Sequence, residues 1–213
     1  MRATLVLSAV FAIGFAATAL ATEVQIGQIS LPVTRDQKVR LEFPVGELRV
    51  EAATDSRVTL DIRAHCRNWG GERCDELARR IHAESEVVGG ELRLKVAGYP
   101  KFHSGAFNLH GVLRLPRDLA LKIEMGVGEL RIAGIEGDVD ADLGVGAAEI
   151  RASGRTLRSA EVETGVGDAN VRAAGEPVKR RSFIGGTASW DQGKGRSAVN
   201  LHVGVGEATV RVE

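Results

Sequence analysis

Hydrophobic and polar residues alternate along most of this chain, and the alternation repeats around a short glycine loop. The loop "GVG" begins at Gly126, Gly144, Gly165 and Gly204, and "FPVGELRVEA" at residues 43–52 is a related copy. Two and four residues after the second glycine the side chains are apolar, and those between are mostly polar. This period of two predicts a half-buried strand after every loop.

The residues before each loop also alternate, but their phase differs by one from the phase after it. In one copy Ile123 and Met125 face inward, and the same count places Val127 inward, yet the next apolar residue is Leu130. A slip of one residue turns side chains to the other face, and glycine accommodates such a corner. The corners are predicted at Gly126, Gly128, Gly144, Gly146, Gly165, Gly167, Gly204 and Gly206.

The copies return at a nearly constant interval. The segment "SFIGGTASW" supplies a further second glycine, Gly186, with Ala188 and Trp190 inward, so that successive steps from Gly128 to Gly206 are 18, 21, 19 and 20 residues. Units of two strands and two corners at this spacing are typical of a β-solenoid. We therefore expect an all-β fold with a short β-solenoid of about 19–20 residues per coil.

Stacked copies would form ladders of equivalent side chains. Inside the stack, Ile150 is expected between Ile132 and Val171. Outside it, solvated columns are expected to contain Glu129, Ala147, Asp168 and Glu207, and Ala133, Arg151, Arg172 and Arg211. A dinucleotide-binding loop would need a third glycine and a following helix. The matching positions contain Arg131, Glu149, Asn170 and Thr209 before a strand, which excludes that interpretation.

The sequence divides into three parts. Residues 1–21 have the features of a signal peptide, with an apolar run that ends in Ala19-Leu20-Ala21, so we expect an exported protein, periplasmic or secreted. Residues 22–115 predict a β-rich part with one short helix near 72–84 and a hairpin at Gly89-Gly90. Residues 116–213 predict the solenoid repeats, continuous with it. No second apolar run follows the leader, so no membrane span is expected after cleavage.

Cysteine content and charge narrow the possible partners. Cys66 and Cys74 predict a disulfide in an oxidising compartment, and no histidine lies at a zinc-site spacing from them. The chain has 28 basic and 28 acidic side chains, and loss of Arg2 with the leader leaves a formal charge of −1. Net charge therefore offers nucleic acid no attraction. We expect no metal and no cofactor.

Aromatic residues are few, and several gather in one loop. Its candidate ligand-binding residues are Tyr99, Lys101, Phe102, His103 and Phe107. Such a loop either folds its rings over the sheet or forms a contact surface for a partner or glycan.

The mature chain resembles the bacterial extracytoplasmic group called "putative adhesin", which carries short β-solenoid repeats behind a signal peptide. The resemblance rests on "GVLRLPRDLALKIEMGVGEL" at 111–130, on the repeat run at 128–154 and on the leader. Members usually have Ser-Gly-Asp at the turn, where this chain has Gly-Val-Gly. The resemblance implies surface or envelope binding, to an envelope glycan or a surface protein, and brings no catalytic residues.

Two hypotheses for function follow. The first is a non-enzymatic, adhesin-like structural or binding module of the envelope or exterior. The alternative is a β-helix polysaccharide lyase or hydrolase, which needs paired carboxylates or a calcium site. Asp138, Asp140 and Asp142 alternate on one face and could serve such a site, although no neighbouring copy reinforces them.

Overall fold

The protein is all-β, as expected. The computed structural model describes residues 23–66, 76–100, 107–173, 179–182, 185–191 and 194–213. These form one open, twelve-stranded sheet. The strands are β1 (Glu23–Pro32), β2 (Lys38–Ala53), β3 (Arg57–Cys66), β4 (His82–Val88), β5 (Glu91–Ala97), β6 (Phe107–Pro116), β7 (Leu121–Ala133), β8 (Val139–Ala152), β9 (Leu157–Ala173), β10 (Lys179–Ser182), β11 (Gly186–Trp190) and β12 (Ser197–Val212).

The glycine copies define a parallel stack at the centre of the sheet. The strands follow the order β1-β3-β6-β2-β7-β8-β12-β9-β11-β10, and the hairpin of β4 and β5 joins β2 through β5. From β2 to β9 the neighbours are parallel and pair glycine with glycine, in the order Gly46, Gly128, Gly146, Gly206 and Gly167. The predicted alignment of these five copies is confirmed.

Each long strand in the stack is folded at its glycine corner. Leu121 pairs with Val139 and Ala133 with Arg151, although only residues 134–138 join β7 to β8. A straight strand of the length of β7 would extend about 40 Å, whereas the short connection reaches about 20 Å. The strand must therefore turn back on itself, and it does so at Gly128, whose φ is 141°.

The order of the stack differs from the chain order. Ile150 pairs with Ile132 on one side but with Val210 on the other, because β12 lies between β8 and β9. The expectation that Val171 is the neighbour of Ile150 is therefore wrong, and Val171 lies one strand further on, beside Val210. The connection at residues 153–156 joins β8 to β9 although these two strands are not neighbours. The position between them, which is one level of the stack, is occupied by β12.

The proposed copy at Gly186 is not a corner of the stack. Strand β11 runs antiparallel to β9, with Gly186 opposite Thr164 and Trp190 opposite Ala160. Ala188 is buried and Trp190 packs on the core, as predicted. Alternation therefore identified the inward side chains correctly, but a period of two carries no information on strand direction.

The N-terminal part covers the β2 end of the stack. The first half of β2 pairs with β5 and its second half pairs with β6, which continues into β3 and β1. The predicted hairpin turn at Gly89 and Gly90 is confirmed, with both φ angles positive. The predicted helix is too long, because the described helical residues are 76–78 and residues 82–84 already belong to β4.

The core consists of the inward ladders of the folded strands. Ile150 and its neighbours Ile132 and Val210 are almost completely buried. A second ladder changes in size along the stack, from leucine in β2 and β7 to alanine in β8, β12 and β9, with members Leu48, Leu130, Ala148, Ala208 and Ala169. No helix in the described part of the chain is long and apolar enough to cross a membrane. The segment predicted to be a signal peptide (residues 1–21) and Cys74 lie outside the described residues.

Candidate functional site: an exposed valine corner

The central residue of each glycine loop is exposed, which corrects the prediction that Val127 and its equivalents face inward. The exposed fractions are 46% for Val127 and Val145, 47% for Val205 and 55% for Val166. At the apex of a folded strand the middle side chain lies on the outside of the bend, and its two glycine neighbours have no side chain to cover it. The period-two count fails there because it assumes a straight strand.

Register aligns these valines into one continuous ladder. Neighbouring strands pair Val45 with Val127, Val127 with Val145, Val145 with Val205 and Val205 with Val166. We call these five residues the valine corner. At about 4.8 Å per strand it is about 19 Å long. The described residues include six exposed large hydrophobic side chains; four lie here, and the other two, Val87 and Val88, end β4.

Rows of mostly acidic side chains flank the valine corner on both sides. The row before it consists of Glu42, Glu124, Asp142, His202 and Glu163, one residue from each strand of the stack. The row after it consists of Glu47, Glu129, Ala147, Glu207 and Asp168. We call these two rows the acidic flanks. The last four members of the second row were predicted as one column from the sequence, and the first row was not predicted as a flank of a site.

At the β2 end of the corner, the flanks are neutralised by ion pairs. Arg40 donates two hydrogen bonds to the Glu124 carboxylate, at 2.7 and 2.9 Å. Lys95 lies 3.4 Å from Glu42, and Arg131 pairs with Glu129. Glu42, Glu124 and Glu129 therefore already have cationic partners within the molecule.

Lys122 serves the same purpose in the middle of the stack. Its ammonium donates a hydrogen bond to Asp140 at 3.3 Å and lies 3.9 Å from Asp142. The hydrogen bond to Asp140 is the main reason that the pKa of Lys122 is raised, so Lys122 stays charged. Asp138 is engaged differently, since its Oδ1 accepts a hydrogen bond from the Ala198 amide at 2.8 Å.

The three alternating aspartates therefore do not converge on a common point. Asp138 is bonded to a backbone amide, whereas Asp140 and Asp142 share a lysine. Within the described residues, no group of three or more histidine, cysteine, aspartate or glutamate side chains is placed to hold a metal ion.

At the β9 end, by contrast, the flanks are not neutralised. Glu163, Glu207 and Asp168 form no ion pair with any residue that the structure describes. The carboxylate of Glu207 accepts only a 3.4 Å hydrogen bond from the Thr209 hydroxyl. The most exposed valine of the corner, Val166, lies at this same end. Exposed valines thus coincide with carboxylates that have no ion-pair partner among the described residues.

A shallow groove of about 440 Å³ runs along the first of the two flanks. Its floor includes the first glycines of the loops in β7, β8 and β12, which are Gly126, Gly144 and Gly204. A Cβ atom at Gly144 would overlap the carbonyl oxygen of Gly126 in the neighbouring strand, and Gly126 and Gly204 are equally crowded, so a side chain is excluded at these positions. Glu124, Asp142 and His202 also line the groove.

The positive charge of the stack is concentrated elsewhere. Register places Arg151, Arg211 and Arg172 in one row, six residues after the valine corner and so about 20 Å from it along the strand. Glu149 accepts a hydrogen bond from Arg151 at 2.8 Å and lies 3.1 Å from Arg211. The bond from Arg151 is the main reason that the pKa of Glu149 is lowered.

The aromatic loop proposed from the sequence is only partly described. Tyr99 packs against the core, and burial raises its pKa. Phe107 is the first residue of β6, and Lys101, Phe102 and His103 lie outside the described residues. The predicted disulfide also stays a prediction, since Cys74 is outside them too. The predicted turn glycines, in contrast, do lie at the corner. The valine between each pair of glycines was the sequence signal for the exposed site, and the sequence analysis did not recognise it.

Comparisons with known proteins show likeness in structure only. No protein-family model matches the chain, and no curated protein matches it. A solved structure described as a "putative cell adhesion protein" from Clostridium sporogenes is similar, with 14% identity, a TM-score of 0.49, and 88% of this chain and 99% of that chain covered. A "putative adhesin" from Parabacteroides merdae has 10% identity and a TM-score of 0.30, with 88% and 96% covered.

A "putative lipid binding protein" from Parabacteroides distasonis is similar at 11% identity and a TM-score of 0.22, with 87% of this chain and 97% of that chain covered. Similarity at this level does not extend to a ligand or to a binding site.

Proposed function

We propose that this chain is a non-enzymatic, adhesin-like binding module of the cell envelope or exterior, and that the valine corner is its contact surface. The observation that carries the proposal is the exposed ladder of valines between two acidic flanks. It combines apolar area, which favours association, with charges that select the partner.

The apolar part supplies the driving force. Covering exposed apolar surface contributes about 25 cal/mol per Å², and the ladder offers four half-exposed valines in a row. Its members are carried on paired strands of a packed sheet, so they are held in place before a ligand arrives. A rigid, preorganised surface loses little conformational entropy on binding.

The architecture beneath the site is, in this proposal, a short β-solenoid. The support for it is the folding of each long strand at its glycine and the glycine-to-glycine register of five neighbouring strands. Such a stack repeats one corner at every level, which is how five valines come to form a line. The level occupied by β12 continues the ladder although it is out of chain order.

The location proposed for the protein agrees with this role. The leader at residues 1–21 would place the mature chain outside the cytoplasm, where envelope glycans and surface proteins are the available partners. The resemblance to the adhesin group, carried by the segments at 111–130 and 128–154, favours the same setting.

The test is a retention assay on isolated envelope and cell-wall fractions with the purified mature protein. The variant V145T/V205T replaces one methyl group by a hydroxyl on two neighbouring rungs and keeps the side-chain shape. The matched control is V87T/V88T, which changes the two exposed valines at the end of β4. Both variants should unfold at the same denaturant concentration as the parent, because exposed substitutions change stability by about 0.5 kcal/mol or less.

We expect at least one envelope or cell-wall fraction to retain the parent and the control V87T/V88T equally well. The same fraction should retain V145T/V205T at least about fivefold less than the parent. Equal retention of all three proteins, or retention by no fraction, contradicts the proposed function.

A further inference from the structure

We propose that the partner of the valine corner is a polypeptide segment that presents lysine or arginine beside apolar residues, and that it docks at the β9 end of the corner. This inference rests on the proposed function and deepens it, because it names the chemistry of the partner. The docking surface consists of Val205, Val166, Glu163, Glu207 and Asp168.

The apolar element of this surface is the pair Val205 and Val166. The two are direct neighbours in the parallel register of β12 and β9, at 47% and 55% exposure. Glycines precede and follow both residues, so no neighbouring side chain in either strand covers them. A partner can therefore lie across the two valines in close contact.

The charges on either side require a cationic partner. Glu163 precedes Val166 in β9. Glu207 and Asp168 follow the two valines and lie opposite each other in the register of β12 and β9. None of the three has an ion-pair partner among the described residues, in contrast to the carboxylates at the β2 end. Carboxylates that have no ion-pair partner attract positive charge over several ångströms and speed encounter with it. An acidic or neutral partner would leave these carboxylates unpaired.

Lysine and arginine side chains satisfy both requirements at once. Their hydrocarbon stems lie along apolar surface while the charged end remains in contact with water or a carboxylate. A stem that crosses Val205 or Val166 therefore brings its charge to Glu163 on one side or to Asp168 on the other. Amino sugars with a free amino group are also positively charged, but they lack an apolar stem. A polypeptide with lysine or arginine therefore fits this surface better.

A second copy of this chain fits less well. Two valine corners that face each other would bring acidic flank against acidic flank, and like charges in contact oppose association. The basic row of Arg151, Arg211 and Arg172 is no substitute, because Glu149 already pairs with two of its arginines.

The experiment measures the affinity of a fluorescein-labelled peptide of alternating lysine and valine for the folded mature protein by anisotropy. The test variant is E163Q/E207Q/D168N. The matched control is E42Q/E47Q/E129Q, which removes three carboxylates of the same flanks at the β2 end, where Lys95, His110 and Arg131 lie close to them. Each protein is measured at about 0.01 M and about 0.15 M salt, where charges are screened beyond about 30 Å and about 8 Å respectively.

We expect the test variant to bind at least about tenfold more weakly and to lose most of the salt dependence, with the control within about twofold of the parent. A peptide of alternating glutamate and valine should not bind. An equal loss in both variants, or no loss in either, overturns the assignment to the β9 end.

Two further measurements exclude the other occupants. If an oligomer of glucosamine binds as tightly as the peptide and is lost in the same test variant, the partner is an amino sugar and the polypeptide proposal is wrong. If sedimentation shows a dimer of the parent that the test variant abolishes, the occupant is a second copy.

The envelope assay separates this inference from the proposed function. Retention that falls in V145T/V205T but not in E163Q/E207Q/D168N supports the contact surface and rejects the cationic polypeptide. Retention that is unchanged in both variants rejects the two proposals together.

Discussion

Gly146 has a φ of 141°, and a Cβ atom at this position would overlap the carbonyl oxygen of Gly128 in the next strand. The corner therefore places two separate demands on the residue, one from its own backbone and one from the neighbouring level of the stack. Gly128, Gly167 and Gly206 are placed in the same way. The recurrence of glycine in the loop is thus a requirement of stacking as much as of turning.

The two demands can be separated by substitution. Gly89 also has a positive φ, 58°, but a Cβ atom there would meet nothing within 4 Å. We expect G89A to cost about 1 kcal/mol in the free energy of unfolding, the cost of a left-handed alanine alone. G146A should cost at least about 3 kcal/mol, since the overlap forces β8 away from β7. Urea unfolding of both variants measures this, and equal losses would mean that the corner is not closely stacked.

Glu149 makes stability depend on pH. Because its folded pKa is lowered, its carboxylate stabilises the fold above the ordinary glutamate pKa of about 4.3, and this contribution is lost as pH falls through the lowered value. At pH 7 the parent should be more stable than E149Q by up to about 1 kcal/mol, as for partly exposed ion pairs.

The difference between parent and E149Q should vanish in acid. Chemical unfolding at a series of pH values tests this, with E207Q as the control, since Glu207 has no ion-pair partner among the described residues. A difference that persists at the lowest pH would show that Glu149 acts through packing.

The inward residues of the strands could be predicted from the sequence, and the valine corner could not. Ile123, Met125, Leu130 and Ile132 are all buried as the alternation requires. Val127 has the same hydrophobicity and falls on the same count, yet it is exposed because the strand folds beneath it. Hydrophobic patterning records burial only where the backbone is regular, so a bend between two glycines reverses the inference.

Among the elements, β12 shows what a repeat cannot specify. Its inward residues Ala208 and Val210 match Ala169 and Val171 of β9 in type, so the β12 sequence fits beside either neighbour. The register could be predicted from the glycines alone, but the order of the levels depends on where the connections lead. That information is not contained in the pattern of any single copy.

Removing β12 should therefore do more harm than removing a strand at the edge. A chain that lacks residues 197–213 leaves β8 and β9 with unpaired edges facing each other, whereas a chain that lacks β1 exposes the edge of β3 alone. We expect loss of amide-exchange protection throughout β8 and β9 in the first chain and a local loss in the second.

A synthetic peptide of residues 197–213, added to the first chain, should restore protection in β8 and β9. Protection that survives without residues 197–213 would mean that β8 and β9 are stable without β12 between them.

At the scale of the whole molecule, a formal charge near zero conceals a strong separation of charge. The valine corner is flanked by eight carboxylates, and the row of Arg151, Arg211 and Arg172 lies further along the same strands. Composition alone excludes a generally basic or acidic protein, but it cannot exclude a local field. Only the folding of the strands collects Glu163, Glu207 and Asp168 around two valines.

The predicted leader at residues 1–21 can be tested on the native protein. The Ala19-Leu20-Ala21 sequence predicts export and cleavage after Ala21. The intact mass of protein recovered from the periplasm or the medium should correspond to residues 22–213. A native product that retains residues 1–21 would contradict it.

The two cysteines provide another prediction about the mature protein. Cys66 and Cys74 should be joined in protein purified without reductant, with stabilisation of up to about 3 kcal/mol. Treatment with an alkylating agent under denaturing conditions should leave the mass unchanged. Full alkylation of both thiols would show that the bridge is absent.

The position of β12 also sets an order of events during synthesis. Strands β8 and β9 are complete in the chain before residues 197–212 follow, yet those residues separate the two strands in the finished sheet. Until they emerge, the growing polypeptide has an empty level at its centre and cannot close its core. If residues 1–21 direct export, as the sequence predicts, a chain that still lacks residues 197–212 would enter a translocation channel with its core open and would become rigid only on the far side.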